Sequence, residues 1–289
     1  MIERILVPLD GSMNAESILP HVRRLLYRSD SEIILVYAVV PPVPENALLG
    51  ADPAVGPARE YLLSQKAVLE KAGVRVRAIV RVGSPVGVIL DLVEEEKATL
   101  IAMATHGSSG FTRMLLGSVA EGILRKSPIP VLVLRPFWSY ELVPHGGIEH
   151  RPIRNILLTV DGSERSAQAL PGVLQLAELF DSRILLLRVL ESKKDKPASQ
   201  EECEDAEAQL KHLASIIEKK GIETVRLLEG GDPIEQILQS VKNHQVDLLA
   251  LTTHGRGRLR RLLHGSVAAK LIHAASFPVL VYRPPDPDL

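Results

Sequence analysis

The chain has 289 residues, 46% of them hydrophobic and 24% charged, with a formal net charge of −1. This is an ordinary globular composition, long enough for two cores, and it creates no field that would draw in nucleic acid or an anionic membrane surface. The single cysteine, Cys203, excludes an intrachain disulfide, and its neighbours Glu201, Glu202, Glu204 and Asp205 disfavour a thiolate, so it reads as an incidental helix residue.

No apolar run approaches the roughly 20 residues that span a bilayer. The amino terminus runs from Met1 straight into an apolar stretch without a basic leader, so the expected location is cytoplasmic. In chain order, residues 2–7 predict a strand: the run is too continuous for a half-exposed strand and too short for a buried helix. A helix follows with Ile18, Val22, Leu25 and Leu26 on one face. The next strand is predicted over 33–40, then a long proline- and glycine-rich loop over 41–57, a helix over 59–72 and a strand over 74–82. A helix opens at Pro85, a favoured first-turn position because the missing N–H has no intrahelical partner to lose. A strand over 99–104, a glycine-containing loop, a helix opening at Ser118 and a strand over 131–134 complete the series.

The series then repeats. Residues 5–12 (ILVPLDGS) return as 156–163 (ILLTVDGS), residues 100–107 (LIAMATHG) as 248–255 (LLALTTHG), GSVA at 117–120 as 265–268, and PVLVLRP at 130–136 as PVLVYRP at 278–284. Strands are predicted over 155–160, 184–190, 224–228, 247–251 and 279–282. Helices are predicted on the face Ala169, Val173, Leu176, Ala177 and Phe180, over 199–220, from Pro233 and from Ser266. Such a period is a duplicated domain, not a solenoid repeat. The domains are predicted at 1–137 and 153–289, joined by a linker over 138–152. The β-α alternation predicts an α/β fold of two similar doubly wound domains, each a parallel sheet with helices on both faces.

In such sheets ligands bind beyond the carboxyl ends of the strands, where strand order reverses. After strand one comes Asp10-Gly11-Ser12, repeated as Asp161-Gly162-Ser163. As a helix start, Ser12 and Ser163 are N-caps, a reading that explains the serine better than the aspartate, whose carboxylate could accept from a ribose hydroxyl or a base amine. After strand four, Gly107 and Gly117-Ser118, or Gly255 and Gly265-Ser266, frame a loop. It reads either as a tight loop with Ser118 capping the next helix, or as a cradle whose glycines and helix N–H groups face phosphate. The loop is neither a Walker A sequence nor G-x-G-x-x-G. Arg113 in the first half, and Arg256, Arg258, Arg260 and Arg261 in the second, are the cations available to neutralise phosphate. No metal-ligand spacing occurs, and Mg²⁺ would come only with a nucleotide's phosphates.

The opening strand with its D-G-S turn, the loop from T-H-G through nine residues to G-S-V-A, and the closing P-V-L-V-x-R-P, occurring twice in order, resemble the universal stress proteins. The resemblance implies strand order 3-2-1-4-5, with the fifth strand pairing either between the two halves or across a homodimer. It also implies an ATP site in the family's nucleotide-binding branch. Carried over, Pro8, Leu9, Asp10 and Ala38 frame adenine and ribose, while Met103, Ala104, His106, Gly107, Arg113, Gly117, Ser118 and Val119 line the phosphate side. The second set is Thr159, Val160, Asp161, Val189, Leu251, Thr252, His254, Gly255, Gly265, Ser266 and Val267. Ala104 and Thr252 replace the first glycine of the family loop and Thr159 replaces a proline, so the first site is expected to be the better one. The expected function is an ATP-binding sensor in stress response, with no catalytic residue. The rivals are a nucleotide-free interaction module and a slow ATP hydrolase using His106 or His254.

Overall fold

Proline sets the first local feature in each half. The computed structural model describes residues 2–26, 31–41, 54–105, 116–135, 152–191, 198–253, 267–275 and 277–284. The single amphipathic helix expected after the first strand is two helices, α1 (Met13–Glu16) and α2 (Leu19–Leu26). Pro20 has no N–H to donate to the Glu16 carbonyl, so the ladder stops there. The second half breaks in the same way, into α6 (Glu164–Ala167) and α7 (Leu170–Phe180), with Pro171 unable to donate to Ala167. The apolar face still docks: Ile18 and Val22, like Ala169 and Val173, are fully buried.

Contacts divide the chain into two units, Ile2–Arg151 and Pro152–Leu289. In the first, β1 (Arg4–Pro8) lies centrally, with β2 (Glu32–Val39) and β3 (Arg75–Val82) to one side and β4 (Leu100–Ala104) and β5 (Val131–Leu134) to the other. All pairs are parallel, in the order β3-β2-β1-β4-β5. Ile5 lies between Ile33 and Leu100 in register, and Ile5, Leu6 and Val7 are wholly buried. Every residue of β4 is buried, which requires cover on both faces of the sheet. The crossovers are α3 (Val55–Lys71), α4 (Pro85–Glu95) and α5 (Ser118–Lys126). Helix α3 starts four residues earlier than the sequence pattern placed it.

The second unit repeats this with β6 (Asn155–Val160), β7 (Arg183–Glu191), β8 (Thr224–Gly231), β9 (Leu248–Thr252) and β10 (Val279–Tyr282), in the order β8-β7-β6-β9-β10. Its later helices are α8 (Gln200–Glu218), α9 (Pro233–Asn243) and α10 (Val267–Ala274). Strand β8 runs past its predicted end because it follows β7 as far as the pair Glu191–Gly231. Cys203 lies on α8 with a free thiol.

Several helix starts have side-chain caps. Ser84 accepts from the Gly87 N–H at the start of α4, and Ser199 and Glu202 form a reciprocal capping box on α8. On α9, Asp232 accepts from both Ile234 and Glu235, at 2.9 and 3.0 Å. Asp232→Ala therefore removes about 1 kcal/mol. The expected readout is a lower urea midpoint for the second half with an unchanged slope; an unmoved midpoint would show that the cap contributes nothing.

Candidate nucleotide-sized cavity

At the end of β1 the chain turns through Gly11, whose φ of +81° is left-handed and suits a residue without Cβ. The Asp10 carboxylate holds the turn: its Oδ1 accepts from the Ser12 N–H at 3.0 Å and the Ser12 hydroxyl at 2.6 Å. Ser12 Oγ then caps α1 by accepting from Ala15 N–H at 3.1 Å. The second half copies this, with Asp161 accepting from Ser163 and Ser163 capping on Ser166. The aspartates thus have a structural task that the sequence reading gave to the serines alone. A short side chain accepting from the residue two ahead forms a local turn of its own.

At the end of β4 the Thr105 carbonyl accepts from the Gly117 N–H at 2.9 Å, which pins the start of α5 to the strand end. This corrects the expected cap. Gly117, not Ser118, is the N-cap residue; Ser118 is the first helical residue, and no side chain among the described residues caps the helix start. The first intrahelical bond is from Glu121 N–H to the Gly117 carbonyl. The N–H groups of Ser118, Val119 and Ala120 precede it and have no intrahelical acceptor. They give the helix end its partial positive charge.

Between these two strand ends lies a cavity of about 740 Å³, within the range of small-molecule sites. It gathers Pro8, Leu9 and Asp10 from β1 and its turn, Ala38 from β2, Met103 and Ala104 from β4, and Gly117, Ser118 and Val119 from the start of α5. His106, Gly107 and Arg113 lie outside the described residues, as do His254, Gly255, Gly265 and Ser266.

The rest of the second set holds the corresponding strand ends. Thr159 pairs with Leu187 as Pro8 pairs with Val36, and Val160 is buried beside Asp161. Val189 is half-buried on β7, Leu251 is buried, Thr252 closes β9 in register with Tyr282, and Val267 is the first described residue of α10.

The aromatic wall lies outside the sequence motifs. Tyr37 on β2 and Tyr61 on α3 both line the cavity and meet edge to face, with ring centroids 6.0 Å apart at 75°. The Tyr37 hydroxyl donates to the Asp10 carbonyl at 3.2 Å, and the Tyr61 hydroxyl donates to Glu16 at 2.8 Å. Burial, and then the bond to Glu16, push the Tyr61 phenol far above its ordinary range, so it remains a neutral donor. A signal existed: the chain has only five tyrosines, and one interrupts the aliphatic run that follows Glu32 in β2. Pro57, Ala58, Pro85, Ile89 and Thr105 complete the walls.

The arrangement combines apolar strand ends with one carboxylate and one helix start that no described side chain caps. It suits a ligand with a planar ring at one end and an anion at the other. Among the described residues no group of three His, Cys, Asp or Glu side chains could hold a metal ion, and no helix is long and apolar enough to cross a membrane.

A duplicated, parallel α/β unit with a cavity at the switch point of its sheet defines the structural class. The sequence model of the Universal stress protein family matches residues 1–135 and again 152–283, and the chain belongs to that family. It is 30% identical over 141 residues to a universal stress protein of Methanocaldococcus jannaschii, covering 47% of this chain and 83% of the relative. A universal stress protein of Mycolicibacterium smegmatis is 26% identical over 298 residues, 97% of each chain. Among solved structures, a universal stress protein from Archaeoglobus fulgidus superposes with a TM-score of 0.78 at 23% identity, covering 98% of this chain and 99% of that one.

Proposed function

We propose that this protein binds ATP in its first half and acts as a nucleotide-sensing module in the cytoplasmic stress response, with no covalent step. The observation that carries this reading is the cavity's polarity. Helix α5 starts on Gly117 without a side-chain cap at one end, and Asp10 and the tyrosine wall stand at the other. The N–H groups of Ser118, Val119 and Ala120 receive phosphate oxygens, Asp10 accepts from the ribose, and the apolar strand ends seat adenine. Mg²⁺ enters with the phosphates, since it usually keeps several waters and few protein ligands.

Ser118→Glu tests the reading with folding held apart from binding. A carboxylate in the first turn favours the helix by 0.3–1 kcal/mol or so, while it repels phosphate at the same spot. The expected result is a loss of ATP affinity of at least about tenfold by calorimetry, roughly 1.4 kcal/mol, with the thermal midpoint unchanged or raised. Wild-type affinity in this variant would sink the reading.

A further inference from the structure

The two halves place the same backbone under different side chains at one pair of positions. Tyr37 follows Val36, the register partner of Pro8; Arg188 follows Leu187, the register partner of Thr159. Across the sheet Tyr37 pairs with Val80, and Arg188 with Leu228. On the covering helices, Tyr61 stands between the buried Ala58 and Leu62, and Gln209 between the buried Ala206 and Leu210. Gly73 and Gly221, both left-handed, end the two helices at matching points. Arg188 and Gln209 therefore occupy the places of Tyr37 and Tyr61, and they also touch: Arg188 Nη1 donates to Gln209 Oε1 at 2.8 Å.

Exposure differs at the strand position: Tyr37 is half-buried and lines the first half's cavity with the half-buried Tyr61, whereas Arg188 is 4% exposed and its partner Gln209 is half-buried. A guanidinium that deep is stable only while its hydrogen bonds are kept, and displacing it leaves a desolvated charge. It does not step aside for a ring. Neighbouring positions follow suit: Val189 stands where the first half has Ala38, and β-branched Thr252 where it has Ala104. Glu16, which anchors Tyr61, has Ala167 as its counterpart, so the tyrosine's hydrogen-bond partner is gone as well.

We infer that the Arg188–Gln209 pair fills the second half's base compartment from within, so that the chain takes one adenine nucleotide, in the first half, and Tyr37 and Tyr61 are the residues that admit it. This rests on the nucleotide-binding reading above. The duplication is then a pair of unequal domains, one a ligand site and the other a closed copy.

The test is calorimetric titration of the full-length protein with ATP. One ATP per chain, lost in Ser118→Glu, is the expected result. Two per chain, with one lost in Ser118→Glu, would overturn the inference while leaving nucleotide binding by the first half intact; binding wholly unaffected by Ser118→Glu would overturn the functional reading as well. No binding at all would overturn the functional reading and this inference with it. A second arm places the closing pair in the open half. Tyr37→Arg/Tyr61→Gln is expected to lose at least tenfold in affinity, and Tyr37→Phe/Tyr61→Phe, which keeps the rings, to lose less than threefold. Wild-type affinity in the Arg/Gln variant would remove the pair from its assigned role.

Discussion

Between pH 6.5 and pH 4 the first half is expected to lose about 3 kcal/mol of stability through one residue, His21. Its Nδ1 is buried with no hydrogen-bond partner among the described residues. Burial first, and then the charge of Arg24, bring its pKa down from 6.5 to about 4. The sign follows from which state takes up the proton. Above pH 6.5 the imidazole is neutral folded and unfolded, and nothing is lost. Below it the unfolded chain gains a proton that the folded chain refuses until about pH 4, so stability falls across that window and levels off beneath it. His21→Leu keeps the site apolar and cannot titrate. Urea unfolding of the two proteins at pH 7 and pH 4.5 is the measurement: wild type is expected to lose more than the variant, and equal losses would exclude His21 as the source.

Gly122→Ala is the second large effect, and its sign is opposite to the usual one. In a helix interior this exchange ordinarily gains roughly 0.5–1 kcal/mol. Here a Cβ would come within 2.7 Å of Val86 Cγ2 and 3.3 Å of its Cγ1, and a β-branched side chain has little freedom to turn away. The net cost expected is about 1–3 kcal/mol. Helix α5 must also lift from α4, and its first turn, which begins on Gly117, moves with it. ATP affinity is therefore expected to fall together with the thermal midpoint, and Val86→Ala added to Gly122→Ala should restore both. A double variant no better than the single one would mean that the two side chains do not meet.

Much of the fold was legible because its signals are local. Continuous apolar runs marked the strands, β5, β6 and β10 to the residue, and Pro85 and Pro233 marked the starts of α4 and α9. The misreadings arose where local and tertiary signals diverged. The apolar face running through Ile18 and Val22 continued across Pro20, so periodicity masked the break that the missing N–H imposes. Helix α3 begins after Ala54, which has no capping side chain, so nothing in the sequence announced it.

The cavity divides in the same way. Asp10, Ala104 and Gly117 stand out because their motifs recur in the second half. Tyr37 and Tyr61 do not recur, and they meet only because a strand and its covering helix bring them together. The choice of Gly117 over Ser118 as the helix cap was out of reach for propensity rules, which favour serine. A backbone bond to Thr105 across the loop decides it.

The bare start of α5 also sets two selective pressures against each other. A search for heat-resistant variants would find Gly117 an inviting place for serine or aspartate, a few tenths of a kcal/mol better at a helix cap. Either side chain would take up the same N–H groups that the proposed nucleotide site offers to phosphate. Thermal hardiness and ligand affinity thus pull this residue in opposite directions, and a glycine there keeps the seat open at very small thermodynamic cost.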